Sequence, residues 1–193
     1  MHHIYHTEGI VLGSRNFGEA SKYYYIFTRD LGMITASAQG VRKMSSKLRF
    51  VLQDFAYLKI DLVSGKNIFR ITNASKTGFL EGITKEPENF KILANIARLL
   101  KRLLAGVEPN EVLFRDVREG LSVLRKPHTK EDLRNIEIIL VLRILNNLGY
   151  IGENEILQNL TRSPFEEDMI VEVFKSRTHI LQQINKALKE THL

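Results

Sequence analysis

A chain of 193 residues with no cysteine, 28 Lys+Arg and 22 Asp+Glu carries a formal net charge of +6. The absent thiols exclude disulfides, zinc–thiolate centres and a cysteine nucleophile, and they fit a reducing cytoplasm. The longest apolar run, residues 136–145, is broken by Glu137 and Arg143 and is too short to span a bilayer, so a soluble chain is expected.

The start, Met1-His2-His3-Ile4-Tyr5-His6, lacks a basic region followed by an apolar run, and no signal peptide is read there. Its three histidines read as a mobile tail and not as a metal site. Strand signals then fill the first 80 residues. Residues 7–13 are β-rich and end at an expected turn, Gly13-Ser14-Arg15-Asn16. Residues 21–28 contain Tyr23, Tyr24, Tyr25, Ile26 and Phe27, side chains that suit a pleated surface. Arg29-Asp30-Leu31-Gly32 reads as a turn, and residues 33–38 as a third strand. Residues 55–63 alternate, with Ala56, Leu58, Ile60 and Leu62 on one face, the period of a half-buried strand. Ser64-Gly65-Lys66-Asn67 reads as a hairpin turn and residues 68–74 as the returning strand. Five short strands predict a small barrel of the OB type.

From about residue 81 the period becomes helical. Pro87 is placed to open a helix. Phe90, Leu93, Ala97, Leu100 and Leu104 form one stripe beside a second of Ile92, Ile96, Leu99 and Leu103. A second helix is expected over 110–124. A third, capped by Thr129 with Asp132, should run to Leu148 and close at Gly149. Residues 138–145 are apolar almost all round except for Arg143, which predicts the centre of a bundle. A last helix over 166–191 should turn Ile170, Phe174, Leu181, Ile184 and Leu188 to the core. The expected fold is α+β, an OB-type five-stranded barrel over 1–80 followed by an α-helical domain over 81–193.

Charge is divided unevenly between these halves. Residues 1–80 hold 11 Lys/Arg against 5 Asp/Glu, whereas residues 81–193 hold 17 of each. The whole positive excess therefore sits on the β-rich half, the footprint expected of a polyanion binder. Charge alone does not separate nucleic acid from an anionic membrane surface. The densest basic run is Gly40-Val41-Arg42-Lys43-Met44-Ser45-Ser46-Lys47-Leu48-Arg49. Cations on such a loop can contact successive phosphates without reading sequence, and Ser46 can donate to phosphate oxygens. Arg15 and Lys22 are expected to extend that surface. Alternation turns at least one of Tyr23, Tyr24 and Tyr25 outward, and Tyr23 and Tyr25 are candidates for stacking on bases.

No catalytic signature is found. Gly65-Lys66 lacks the earlier glycine of a phosphate loop, where Ile60 stands, and Asn67 replaces the required Ser or Thr. There is no Gly-x-Ser-x-Gly elbow and no His-Glu-x-x-His. Glu166-Glu167-Asp168 reads as charge favourable to a helix N-terminus. No enzyme, cofactor or metal is expected.

Four segments resemble one family. Thr7-Glu8-Gly9-Ile10-Val11-Leu12, Gly18-Glu19-Ala20-Ser21, Phe27-Thr28-Arg29-Asp30-Leu31-Gly32 and Gly40-Val41-Arg42-Lys43 with Ser46-Lys47 occur in the order and spacing of RecO. Leu52-Gln53-Asp54-Phe55 continues the likeness. Leu142-Arg143-Ile144-Leu145-Asn146-Asn147-Leu148-Gly149-Tyr150 looks like the family's central helix, and Lys175-Ser176-Arg177 like its last. The resemblance implies a recombination mediator of DNA repair with an OB domain and a helical domain. It implies binding of single- and double-stranded DNA, strand annealing, and work with RecR and single-stranded-DNA-binding protein to load RecA. It places Arg42, Lys43, Ser46 and Lys47 on the family's basic motif. Many members carry a four-cysteine zinc site after the segment matching Leu148-Gly149-Tyr150; this chain has no cysteine, so a shortened region without zinc is expected. An RNA-binding OB protein and a non-catalytic protein adaptor are the other readings the residues leave open.

Overall fold

The computed structural model describes residues 3–66, 68–104, 108–152, 155–165 and 167–191; Asn67, at the end of the expected hairpin turn, and Glu166, at the start of the expected last helix, lie outside them. The chain forms two compact units, residues 1–84 with 97–111 and residues 85–96 with 112–193.

In the first unit, strands β1 (Ile4–Phe17), β2 (Ser21–Thr28), β3 (Gly32–Ala38), β4 (Tyr57–Ser64) and β5 (Phe69–Lys76) close into a barrel in the order β1-β2-β3-β5-β4. β4 returns to β1, β3 pairs parallel with β5, and the other pairs are antiparallel. This is the expected OB-type barrel, closed between β3 and β5 by the short parallel pairing of Ala36 and Ser37 with Phe69 and Arg70. Its interior holds Val11, Tyr24, Ile26, Ile34, Ala36, Leu58, Ile60, Leu62 and Ile71, the inward members of the alternating runs.

Two N-terminal expectations are corrected. Gly13-Ser14-Arg15-Asn16 is no turn: β1 continues to Phe17 through a register shift between Val11 and Gly13. A bulge bends a strand without ending it, so β1 serves β4 with its first half and β2 with its second. The reversal comes later, at Gly18-Glu19-Ala20. His6 belongs to no tail: it lies in β1, and its Nδ1 is 2.7 Å from Asp61 Oδ1 of β4.

The helices are α1 (Glu81–Lys85), α2 (Pro87–Leu103), α3 (Glu111–Val123), α4 (Lys130–Asn147), α5 (Glu155–Arg162) and α6 (Glu167–Glu190). In the second unit, α4 starts at the expected capping box. Asp132 N–H donates to Thr129 Oγ1 at 3.1 Å, and Thr129 N–H donates to Asp132 Oδ2 at 3.0 Å. Burial on all sides makes α4 the central helix, with Ile136, Ile139, Leu140, Leu142, Ile144 and Leu145 fully enclosed.

Arg143 is enclosed with them, at 2% exposure. Its Nε donates to Leu160 O at 2.8 Å and its guanidinium also donates to Ser163 O, so one cation ties down the C-terminal end of α5. The Phe165 ring lies 5.0 Å from the guanidinium carbon. Burial lowers the pKa of Arg143, while the charges of Asp116 and Glu119 act in the opposite direction. The short helix α5 was not read from the sequence.

Helix α6 buries Ile170, Val173, Ile180, Ile184 and Ala187 instead of the full expected set. Phe174 is 60% exposed and Leu181 37% exposed. Both lie one position past the buried Val173 and Ile180, about 100° round the helix. Apolar residues on both sides of that step gave no unique choice of face from periodicity alone. Phe90 of α2, on the first expected stripe, is likewise at the surface.

Candidate nucleic-acid interface

The basic run between β3 and β4 is a wound, anchored loop. Gly40 opens it with φ 64°, a left-handed conformation that glycine adopts without strain. Gly40 N–H then donates to Ser21 Oγ at 3.2 Å and Arg42 N–H to Ala20 O at 2.9 Å, which tie the loop to the start of β2. Turn bonds follow from Lys43 N–H to Gly40 O and from Ser46 N–H to Lys43 O, each 3.0 Å, leading into a 3-10 turn at Lys47–Phe50. Val41 and Leu52 sink into the barrel core at either end. The apolar residues thus act as pegs, and the cations between them are held outward.

Lys22, Tyr24, Val41, Arg42, Arg49 and Leu52 line one cleft of about 260 Å³. The structure therefore brings Lys22, Arg42 and Arg49 together, with Lys43 and Lys47 exposed on the same loop. Among the described residues none of these five cations forms an ion pair. Ser46 makes no capping bond to the 3-10 turn that follows it. Two residues here were missed in the sequence. Met44 is 83% exposed and Phe50 63% exposed, and Arg49 touches both, at 2.6 Å from Met44 Sδ and 5.2 Å from the Phe50 ring centre. The signal was present as Met44 inside the basic run and Phe50 directly after it.

Alternation along β2 sorts the three tyrosines. Tyr24 points into the core, where burial, reinforced by the charge of Asp54, pushes its phenol up to about 12. Tyr23 and Tyr25 point outward and are half-buried. The Tyr25 ring is already covered by Lys101 Nζ, 4.6 Å from its centre. Tyr23 packs beside Phe17, ring centres 4.4 Å apart, with the Arg15 guanidinium 5.1 Å away. Arg15 pairs with Tyr23 across β1 and β2 and shares its outer face, whereas Lys22 turns to the other side. Arg15 therefore does not extend the Lys22–Arg42–Arg49 cleft.

A second cleft, of about 550 Å³, lies beside Tyr23 and is lined also by Ser37, Val63, Ser64, Gly65, Lys66, Ile68 and Arg70. Lys66 and Arg70 had carried no functional reading. A third hollow is lined among others by His6, Glu8, Arg29, Lys59 and Asp61, so its two cations are balanced by two carboxylates. Arg29 pairs with Glu8 and with Asp30, both at 3.1 Å, and His6 with Asp61 at 2.7 Å. Hydrogen bonds from His6 and Asn73 hold the Asp61 carboxyl below its ordinary value. Among the described residues no group of His, Asp and Glu is arranged to hold a metal ion, and no helix is long and apolar enough to cross a membrane.

Residues 1–79 match the family model described as recombination protein O N terminal. The chain is 30% identical over 150 residues to the DNA repair protein RecO of Heliobacterium modesticaldum, covering 78% of this chain and 53% of that protein. It is 31% identical over 157 residues to the DNA repair protein RecO of Desulforamulus reducens, covering 81% and 58%. With the DNA repair protein RecO of Rubrobacter xylanophilus it shares 28% over 147 residues, covering 76% and 58%. The matched region spans a little over half the length of these curated relatives.

Proposed function

The chain belongs to the RecO family, and from that premise we propose that it is a non-enzymatic, DNA-binding recombination mediator of DNA repair acting in the cytoplasm. In this reading residues 1–80 are the nucleic-acid-binding domain and residues 81–193 a helical domain for protein partners. The observation that carries it is the set of cations left without carboxylates among the described residues: Lys22, Arg42 and Arg49 around one cleft, with Lys43 and Lys47 beside them. A fold that pairs Arg29 and His6 internally yet leaves these five open presents them to an external polyanion.

The loop holds DNA by its phosphates, with Ser46 as an additional donor, and reads little sequence. Neutralising phosphates lowers the repulsion between two strands, and annealing follows from that. The helical domain carries no net charge (17 basic and 17 acidic residues from 81 to 193), which suits protein docking better than DNA. RecR and single-stranded-DNA-binding protein are the partners in this reading, and RecA loading is the outcome.

The test is fluorescence anisotropy of a labelled single-stranded oligonucleotide over a salt series. About four to six engaged phosphates give a slope of log K against log[salt] of roughly −3 to −4 on single strands. Reversing Arg42, Lys43 and Lys47 together should weaken all sequences alike. A flat salt response, or binding indifferent to the reversal, would refute the assignment.

A further inference from the structure

We infer that the barrel carries two separate sites for single-stranded DNA, one on each face of β2, and not one continuous groove. The inference rests on the DNA-binding reading above and adds to it a second site, built by Tyr23, Phe17, Arg15, Lys66 and Arg70.

Successive side chains of a strand point to opposite faces. Lys22 enters the cleft closed by the 40–52 loop, and Tyr23, the next residue, lines the cleft under the β4–β5 hairpin. The two clefts share no lining residue. Sheet and barrel core stand between them, since Tyr24 lines the first cleft and is buried in the core at 1% exposure.

Both clefts present the chemistry a single strand requires, cations for phosphates and a ring or soft side chain for bases. At the first, Arg49 lies over the exposed Phe50 ring beside Met44. At the second, Arg15 lies over Tyr23, and the adjoining Phe17 ring is 50% exposed. Lys66 and Arg70 supply exposed positive charge there, and among the described residues neither forms an ion pair. Ser37 stands opposite Arg70 in the parallel β3–β5 pair and adds a hydroxyl. The third hollow has two cations, Arg29 and Lys59, but the carboxylates of Glu8 and Asp61 line it as well, so unlike the other two its lining carries no excess positive charge.

A protein that holds two strands on one small barrel keeps both near each other without a second copy of itself. Pairing between them then becomes effectively intramolecular.

The experiment counts oligothymidylates of about six nucleotides bound per chain by native mass spectrometry at low salt, a length near the lower end of one OB-fold site. The full chain is compared with Arg42→Glu/Arg49→Glu, with Lys66→Glu/Arg70→Glu, and with all four changes together. Lys66 and Arg70 are exposed, so their variant is expected to fold. The expected counts are two, one, one and none, and either pair alone should slow the annealing of complementary strands by about tenfold or more. One oligonucleotide per unaltered chain, whichever variant abolishes it, would overturn the two-site inference and leave DNA binding standing. No oligonucleotide on any of the four proteins would overturn the DNA-binding reading itself.

Discussion

Arg143 of the helical unit and the basic loop of the barrel hold positive charge in opposite ways. In the helical unit Arg143 is enclosed and its donors are consumed by Leu160 O and Ser163 O. On the barrel, the loop that carries Arg42, Lys43, Lys47 and Arg49 is anchored through its backbone, and among the described residues neither these four nor Lys22 pairs with a carboxylate. An arginine satisfied inside the fold acts on structure. A cation that the fold positions and leaves open is available to a partner outside it. The amino-acid type is the same, and the partners decide its role.

The comparison breaks most readily at Arg143. Arg143→Met keeps much of the volume but strips two carbonyls of their donor, and unfolding in urea should show a loss of about 3 kcal/mol. DNA affinity of the folded fraction should stay within about twofold. An unchanged urea midpoint would remove Arg143 from its structural role. The reverse result is expected on the loop. Charge reversal of Arg42, Lys43 and Lys47 should cost about 100-fold in affinity for single strands near 0.1 M salt. The thermal midpoint of that variant should hardly move, because exposed charges without partners contribute little to folding.

Tyr24 sharpens the contrast from inside the barrel. In the folded chain its phenol keeps its proton to about pH 12, against 10 when unfolded, because it is buried. Between those values the unfolded chain releases a proton that the folded chain retains, so stability falls as pH rises through the window, by at most about 3 kcal/mol. Tyr24→Phe should lack this fall, which denaturation of both proteins at pH 9 and above pH 11 would reveal. Equal alkaline losses would place the phenol in contact with solvent. The smallest effect belongs to the internally paired patch. Arg29→Ala breaks exposed pairs with Glu8 and Asp30 and should cost under about 1 kcal/mol. Its DNA affinity should equal that of the unaltered chain, and a marked loss would bring that patch into the interface.

Much of the architecture was legible because it depends on local rules. The alternation of Leu58, Ile60 and Leu62 located β4, and all three are in the barrel core. The Thr129–Asp132 box marked the start of α4 to the residue. The misreadings occur where two local rules compete. Gly13 suits a turn and a bulge equally, and closure of the barrel chose the bulge. In α6 apolar residues occupy neighbouring positions, and packing enclosed Val173 and Ile180 while leaving Phe174 and Leu181 exposed. In the candidate site the basic loop was read directly from its composition. Arg15 and Lys22 looked equivalent in sequence, yet β-strand alternation sends them to opposite faces once the true register with β2 is known.

The sequence by itself determined the order of the five strands and the longer helices, the side of the chain that carries the positive excess, and the loop where cations are densest. Periodicity, capping and composition act over a few residues, so one chain suffices to read them. Only the tertiary structure decided which of those cations remain open. The pairings that occupy carboxylates join distant positions: His6 is hydrogen-bonded to Asp61 across 55 residues and Arg29 forms an ion pair with Glu8 across 21. Barrel closure brings those carboxylates to those partners and, among the described residues, brings none to Arg42, Lys43 or Arg49. The charge available to a ligand is what remains after the fold has made its own pairs, and that remainder exists only in three dimensions.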